Sequence, residues 1–110
     1  MKFRILAMAG LVAALASVAA PLLAEGDPTA GKNKTTMCAG CHGIAGFRAA
    51  YPETYQVPKL GGQNPAYIVA ALKAYKAGER NHATMKAIAF SLTERDMADL
   101  AAYYAGTGKN

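Results

Sequence analysis

The sequence predicts a small all-α domain, and three observations favour that fold class. Apolar residues recur at spacings of three and four in two segments, from Ile68 to Tyr75 and from Met97 to Tyr104. Each segment begins at a polar capping residue and ends near a glycine. No run of residues alternates apolar and polar side chains as a half-buried strand does. We therefore expect three main helices joined by a loop rich in glycine and proline.

The first helix is predicted at the dipeptide Asp27-Pro28, because aspartate is a strong N-cap and proline is favoured at the first helical position. We expect this helix to run from Pro28 towards Cys41. Glycine and proline then interrupt any helical period over residues 48–62, RAAYPETYQVPKLGG, which are expected to form an irregular loop. A connection of that length is typical of a segment that wraps a functional site.

Two further helices are predicted in the second half of the chain. The dipeptide Asn64-Pro65 repeats the capping signal, and Gly78 occupies the expected stop position. Residues 79–92, ERNHATMKAIAFSL, are ambiguous and fit a turn followed by a short helical stretch. Thr93, with Asp96 three positions later, resembles a capping box that opens the terminal helix.

The first 24 residues, MKFRILAMAGLVAALASVAAPLLA, have the layout of a secretory signal peptide. Two basic residues precede an apolar run from Ile5 to Ala20, and small residues surround a cleavage point after Ala24. An uncleaved membrane anchor is the alternative, because the apolar stretch is nearly long enough to span a bilayer. We predict a signal peptide at 1–24 and a single domain at 25–110, which is exported to the periplasm and not inserted in a membrane after cleavage.

The composition of the mature chain favours a bound cofactor. Removing residues 1–24 from the 110 leaves 86 residues, just above the size of about 70–80 residues below which a core usually needs a staple or cofactor. The sequence is rich in alanine and glycine and has no tryptophan, so bulky apolar groups are scarce. Without Lys2 and Arg4 the formal charge falls from +5 to +3, and no basic run is present. Nucleic acid binding is therefore not expected.

Both cysteines and the first of the two histidines lie in the segment TTMCAGCHG, residues 35–43. On a helix, Cys38, Cys41 and His42 point to roughly the same side. A disulfide between the two cysteines would close a very short loop and stabilise the fold little. A thioredoxin-type redox pair would be expected after a strand. A structural zinc site needs a fourth ligand, for which the sequence offers only His82.

Covalent haem c fits this spacing better than the other interpretations. In the C-x-x-C-H signature, two thiols attach the porphyrin and the adjacent histidine binds the iron. The porphyrin would also supply the bulk that the core lacks. We predict one haem c, attached through Cys38 and Cys41, with His42 as an iron ligand.

With this motif the chain resembles a class I cytochrome c, especially the small bacterial group that includes cytochromes c4, c5 and c553. The resemblance extends over nearly the whole mature chain. It is carried by three segments in the family's order, CAGCHG, PKLGGQNPAYIVAALKAYKAGER and MKAIAFSLTERDMADLAAYYAG. It implies a small cytochrome c fold, in which three main helices and a loop rich in glycine and proline wrap around one low-spin, six-coordinate haem.

The resemblance also implies roles for individual residues. His42 matches the proximal iron ligand, and Met85 matches the distal one. Pro58 matches the proline whose carbonyl accepts the ring N–H of the proximal histidine. Leu60 matches an apolar residue that packs against the haem.

Other matches concern the haem propionates and a helix crossing. Tyr67 and Arg80 are candidates for contacts to the propionates, as such residues make in this family. Gly31 and Tyr103 match the crossing of the first and last helices. The family's aromatic residue beside that glycine has no counterpart among residues 33–35.

The distribution of methionines is an independent indication of the sixth ligand. Met37 adjoins Cys38 and is badly placed to reach the opposite face of a haem. Met97 lies on the apolar stripe of the terminal helix, where core packing is expected. Met85 follows a loop between two helices, although a core methionine there is the simpler alternative. His82 is the competing ligand in a bis-histidine site, and an exposed loop histidine is its simpler interpretation.

These features predict a periplasmic monohaem carrier of single electrons that is not an enzyme. Protein ligands on both sides of the iron leave no open position for a substrate, and methionine raises the reduction potential. Redox partner proteins are expected to dock near Lys59 and Lys86, although solvation is the ordinary role of lysines. The alternatives are a haem subunit of a larger dehydrogenase, such as a sulfur-compound-oxidising flavocytochrome, and a haem sensor or enzyme with an open distal site.

Overall fold

The computed structural model describes residues 26–50 and 54–107, which form mainly helices. In chain order the elements are α1 (Pro28–Asn33), α2 (Thr36–His42), β1 (Arg48–Ala49), β2 (Tyr55–Gln56), α3 (Pro65–Ala77), α4 (Ala83–Phe90) and α5 (Glu94–Gly106). The all-α fold class is confirmed. The predicted signal peptide at 1–24 lies outside the described residues and stays a prediction. Within the two described ranges, every helix is too short or too polar to cross a bilayer.

The predicted first helix is two helices, α1 and α2, separated by a turn at Lys34 and Thr35. Asp27 begins α1 as predicted, and its carboxylate accepts a backbone N–H of the first turn at 2.9 Å. The hydroxyl of Thr35 donates to the carbonyl of Lys32 at 2.8 Å. Such a bond competes with a continuous helix, and it accounts for the break that the sequence pattern did not predict.

The longer helices α3 and α5 begin as predicted. The side chain of Asn64 accepts the N–H of Tyr67 at 3.1 Å at the start of α3. Gly78 ends α3 with a φ of 79°, which glycine adopts without strain. At the start of α5, the N–H of Asp96 donates to the Thr93 hydroxyl at 3.1 Å and the N–H of Thr93 donates to the Asp96 carboxylate at 2.9 Å. The capping box is confirmed, and the ambiguous segment before it contains α4.

The predicted irregular loop contains a small antiparallel pair of strands, β1 and β2. Its register pairs Arg48 with Gln56 and Ala49 with Tyr55. Each strand is only two residues long, too short for an alternating pattern to appear in the sequence. The strand pair fixes the start of the loop that leads to Pro58.

Helices α1 and α5 cross closely at Gly31. A Cβ atom at this position would overlap the carbonyl oxygen of Asp99 and lie 2.9 Å from the Cβ atom of Tyr103. Beside this crossing, the Asp99 carboxylate accepts the Lys34 ammonium at 2.6 Å and the Asp27 N–H at 2.8 Å. Asp99 is only 2% exposed. An ion pair between a buried carboxylate and a partly exposed lysine therefore stabilises the crossing.

The core lies between α3, α5 and the turn before α5. Met97, predicted to be a core methionine, is 1% exposed. Leu72 and Tyr104 pack against both clusters of the core, and Cys38 packs against the second. Contact with Cys38 anchors α2 to this core. The two clusters are Ile68, Val69 and Ala101, and Leu92, Met97 and Leu100.

Candidate haem site

A mostly apolar cavity of about 500 Å³ lies between α2, α3, α4, α5 and the loop that follows β2. Its volume is within the range of about 300–1,000 Å³ that small-molecule and cofactor sites occupy. A single metal ion would leave most of this space empty. Every residue that the sequence analysis assigned to the haem lines this cavity: Cys38, Cys41, His42, Pro58, Leu60, Tyr67, Arg80 and Met85.

Both thiols of the C-x-x-C-H segment reach the cavity from α2. Cys38 is half-buried, Cys41 is exposed, and each is a free thiol rather than half of a disulfide. Burial raises the pKa of the Cys38 thiol, although a hydrogen bond with Tyr104 opposes this effect. Burial also raises the pKa of the Tyr104 hydroxyl, and the neighbouring Cys38 raises it further. Both groups are therefore neutral at pH 7 and place no charge in the apolar wall.

The ring of His42 is fixed by the loop that follows β2. Its Nδ1 atom lies 2.7 Å from the carbonyl oxygen of Pro58. A carbonyl oxygen only accepts, so Nδ1 is the donor and carries the ring hydrogen. The free lone pair of the neutral imidazole then lies on Nε2. This is the hydrogen bonding that orients histidines which bind metals.

Met85 lies in the first turn of α4, directly after the residue that caps this helix. The cap is His82, whose Nδ1 accepts the N–H of Met85 at 3.2 Å. The ring of His82 is edge-on to Tyr55, with 4.9 Å between ring centroids, and to Tyr75, with 6.3 Å. His82 is half-buried rather than an exposed loop residue. Sequence reasoning missed this role, because histidine is not a typical N-cap and Tyr55 is distant in the chain.

Two positive side chains extend this wall towards the outside. The guanidinium of Arg80 lies 4.5 Å from the ring centroid of Tyr75, a cation–π distance. Lys59 also lines the cavity and is exposed, whereas Lys86 is exposed but does not line it. Tyr67 is 53% exposed at the cavity.

Comparison with known proteins identifies the family. The family model for Cytochrome c matches residues 29–107. The chain belongs to the cytochrome c family. Over 82 residues it is 42% identical to cytochrome c-554(548) of Halomonas halodenitrificans, a match that covers 72% of this chain and 94% of the relative.

Two other relatives extend this comparison. The chain is 37% identical over 82 residues to cytochrome c4 of Pseudomonas aeruginosa, covering 74% of this chain and 39% of that protein. It is 30% identical over 79 residues to the cytochrome subunit of sulfide dehydrogenase of Chlorobaculum tepidum, covering 72% of this chain and 67% of the relative. The chain thus spans well under half the length of the cytochrome c4 it matches. The matches support a class I cytochrome c of monohaem type.

The cavity of this cytochrome c fits the family's cofactor, a covalently attached haem c. Two thiols three residues apart match the attachment signature. Cytochromes c bind the iron through a histidine nitrogen and a methionine sulfur. Here His42 offers a nitrogen with a free lone pair, and Met85 offers a thioether sulfur. Apolar side chains such as Leu60 supply the rest of the wall. The cytochrome is therefore a haem protein that carries electrons.

Proposed function

We propose that this cytochrome transfers single electrons between redox proteins with His42 and Met85 as iron ligands. Thioether bonds to Cys38 and Cys41 hold the haem. The observation that carries the proposal is that both thiols, the oriented imidazole and the thioether line the same cavity. When bound, the haem supplies a one-electron Fe(III)/Fe(II) couple.

The residues around this site favour electron transfer over catalysis on a substrate. The soft thioether of Met85 favours the ferrous state and raises the reduction potential. The hydrogen bond from His42 to Pro58 holds the imidazole in one orientation. His42 and Met85 would both bind the iron of the haem, so oxygen, peroxide and other substrates would have no coordination site.

Carbon monoxide binding tests this proposal. The ferrous holoprotein with both protein ligands in place should not bind carbon monoxide at neutral pH, and its spectrum should stay that of a low-spin c-type cytochrome. Met85→Ala should bind it readily, because the substitution opens one axial position. Rapid binding by the wild-type protein would instead support a haem sensor or enzyme with an open distal site.

We also propose that residues 1–24 are a cleaved signal peptide and that the domain of residues 25–110 acts in the periplasm. The basic start, the apolar run and the small residue Ala24 at the predicted cleavage point support this location. Intact-mass analysis of protein expressed in a bacterium should give a chain that begins at Glu25. A mass that retains the leader would support the membrane-anchor alternative.

The redox partner is proposed to dock at the positive side chains Lys59 and Lys86. Both are exposed, Lys59 lines the cavity and Lys86 adjoins Met85. Among the described residues, neither ammonium has a carboxylate within 4.0 Å, whereas Lys73 pairs with Glu94 at 3.3 Å. Positive charges near the site steer an anionic partner and speed its encounter.

Charge reversal tests this docking surface. Lys59→Glu with Lys86→Glu should slow electron transfer from an anionic redox protein about tenfold at low salt. Lys32→Glu with Lys73→Glu makes the same change in net charge on α1 and α3, outside the cavity lining, and should have a much smaller effect. Equal slowing by both changes would mean that net charge, rather than this surface, sets the rate.

A second candidate function is that of a haem subunit in a larger dehydrogenase. The similarity to the cytochrome subunit of sulfide dehydrogenase favours it. Gel filtration of the native protein from its own periplasm distinguishes the two. A carrier should elute without a second chain, and a subunit should elute with a catalytic chain.

A further inference from the structure

We infer that His82 is a positioning residue that holds Met85 at the iron, and that it cannot itself be the sixth ligand. This inference rests on the proposed ligation by His42 and Met85. It concerns the cap of α4, which the resemblance to cytochromes c did not assign.

The two histidines use the same ring atom in opposite ways. Nδ1 of His42 donates to the carbonyl of Pro58 at 2.7 Å, which leaves the lone pair of Nε2 free for a metal. Nδ1 of His82 accepts the N–H of Met85 at 3.2 Å, so the ring hydrogen is on Nε2. A neutral imidazole in that form has no free lone pair. While it caps α4, His82 is therefore unavailable to iron.

The cap also controls where Met85 lies. Met85 is at the third position of α4, and its N–H has no carbonyl partner within the helix. The bond to His82 satisfies this N–H and fixes the first turn, on which the thioether is carried. The first helical turn frays when its N–H groups, which have no partner within the helix, lose their cap.

The His82 ring is itself held from two sides. Tyr55 comes from β2 and Tyr75 from α3, and each presents an edge-on contact. Arg80 stacks over Tyr75 at 4.5 Å on the same wall. The cap is thus tied to the strand pair and to α3, so the position of Met85 is coupled to the loop that also carries Pro58.

Displacement of the methionine by added imidazole measures this role in the ferric holoprotein. We expect loss of this cap to shift the balance between bound and released Met85 by about fivefold, the factor by which an N-cap typically stabilises a helix. In His82→Ala, the apparent dissociation constant for imidazole should therefore fall about fivefold. His82→Asn should restore the wild-type value, because asparagine is a strong N-cap. His82→Phe keeps the ring but not the acceptor, and should behave like the alanine variant.

Thr93→Ala is the matched control, because it removes the cap of α5 and leaves α4 intact. It should lower global stability in urea without changing imidazole affinity. The inference is overturned if His82→Ala and Thr93→Ala change the affinity for imidazole equally. It is also overturned if His82→Phe keeps the wild-type affinity and His82→Asn does not. Should His82→Ala fail to fold, the asparagine and phenylalanine variants decide the question.

Failure of the proposed ligation has a different signature. If Met85 is not a ligand, Met85→Ala should leave the ferric spectrum and imidazole affinity of the wild type unchanged. If His82 is the ligand, His82→Asn should abolish the low-spin spectrum that Met85→Ala retains. Either result overturns the positioning role together with the ligation on which it rests.

Discussion

Replacing Asp99 with asparagine should weaken the crossing of α1 and α5 substantially. The carboxylate side chain is 3% exposed and lies 2.6 Å from the Lys34 ammonium and 3.3 Å from Nε of Arg95. It also accepts the N–H of Asp27 at 2.8 Å. Asparagine has nearly the size of aspartate and keeps an oxygen that accepts the N–H of Asp27. It removes the negative charge, however, and turns an N–H₂ group towards the Lys34 ammonium.

The magnitude follows from the exposure of the partners. Side chains of Lys34 and Arg95 are 31% and 58% exposed, so water partly replaces the lost carboxylate. The loss in the free energy of unfolding should therefore be smaller than the roughly 3–5 kcal/mol that breaking a fully buried ion pair costs. Hydrogen bonds to charged groups contribute about 1.5–3 kcal/mol, and we expect a loss of about 2 kcal/mol in the free energy of unfolding.

Urea denaturation of the ferric holoprotein at pH 7 and low salt measures this loss without adding a screening salt. Glu94→Gln is the control on the same helix, because its carboxylate is 83% exposed and pairs with Lys73 only at 3.3 Å. That change should cost at most about 0.5 kcal/mol. If Asp99→Asn destabilises no more than the control, the ion pairs of Asp99 do not stabilise the crossing.

The same pair predicts how stability depends on pH. The hydrogen bond from Lys34 lowers the pKa of the Asp99 carboxyl, and the Asp27 N–H lowers it further. Lys34 and the N–H of Thr93 lower the pKa of Asp96 to about 2. A carboxyl whose pKa is lower in the folded than in the unfolded protein stabilises the fold at pH values above its unfolded pKa. This stabilisation is lost as the pH falls through the pKa of the folded protein. The stability difference between wild type and Asp99→Asn should therefore shrink progressively below about pH 4.

Two further predictions concern packing. Gly31→Ala forces a methyl group against the Asp99 carbonyl and should lower the free energy of unfolding of the holoprotein in urea by about 1–3 kcal/mol. In the control Gly106→Ala the methyl group meets no atom within 4 Å, so the change should be neutral or stabilising. Equal effects of the two substitutions would contradict the close crossing. Met97→Ala removes a side chain that is 1% exposed and should lower the free energy of unfolding by about 2–5 kcal/mol. The iron ligands should be unchanged. A change of ligation would place Met97 in the haem site rather than in the core.

The sequence predicts the site better than the path of the chain around it. Cys38, Cys41 and His42 adjoin one another in a single motif, so no long-range contact is needed to recognise them. Met85 follows from the placement of the other methionines and from the resemblance. These side chains line one cavity because α5, whose cap is a local signal, packs against both α1 and α3 and so brings the two halves of the chain together.

What the sequence does not predict depends on contacts between distant residues. The break between α1 and α2 leaves Lys34 free to reach Asp99, 65 positions later in the chain. The His82 ring that caps α4 packs edge-on against Tyr55, which lies on a two-residue strand. Local periodicity does not predict either contact, because each joins residues that are far apart in the chain.

The weak far-red band that methionine–iron coordination gives in ferric cytochromes c tests the central claim most directly. The wild-type holoprotein should show this band, Met85→Ala should lose it, and Met97→Ala should keep it despite its lower stability. A wild-type protein without the band, or a Met85→Ala variant that retains it, would contradict ligation of the iron by the methionine of α4.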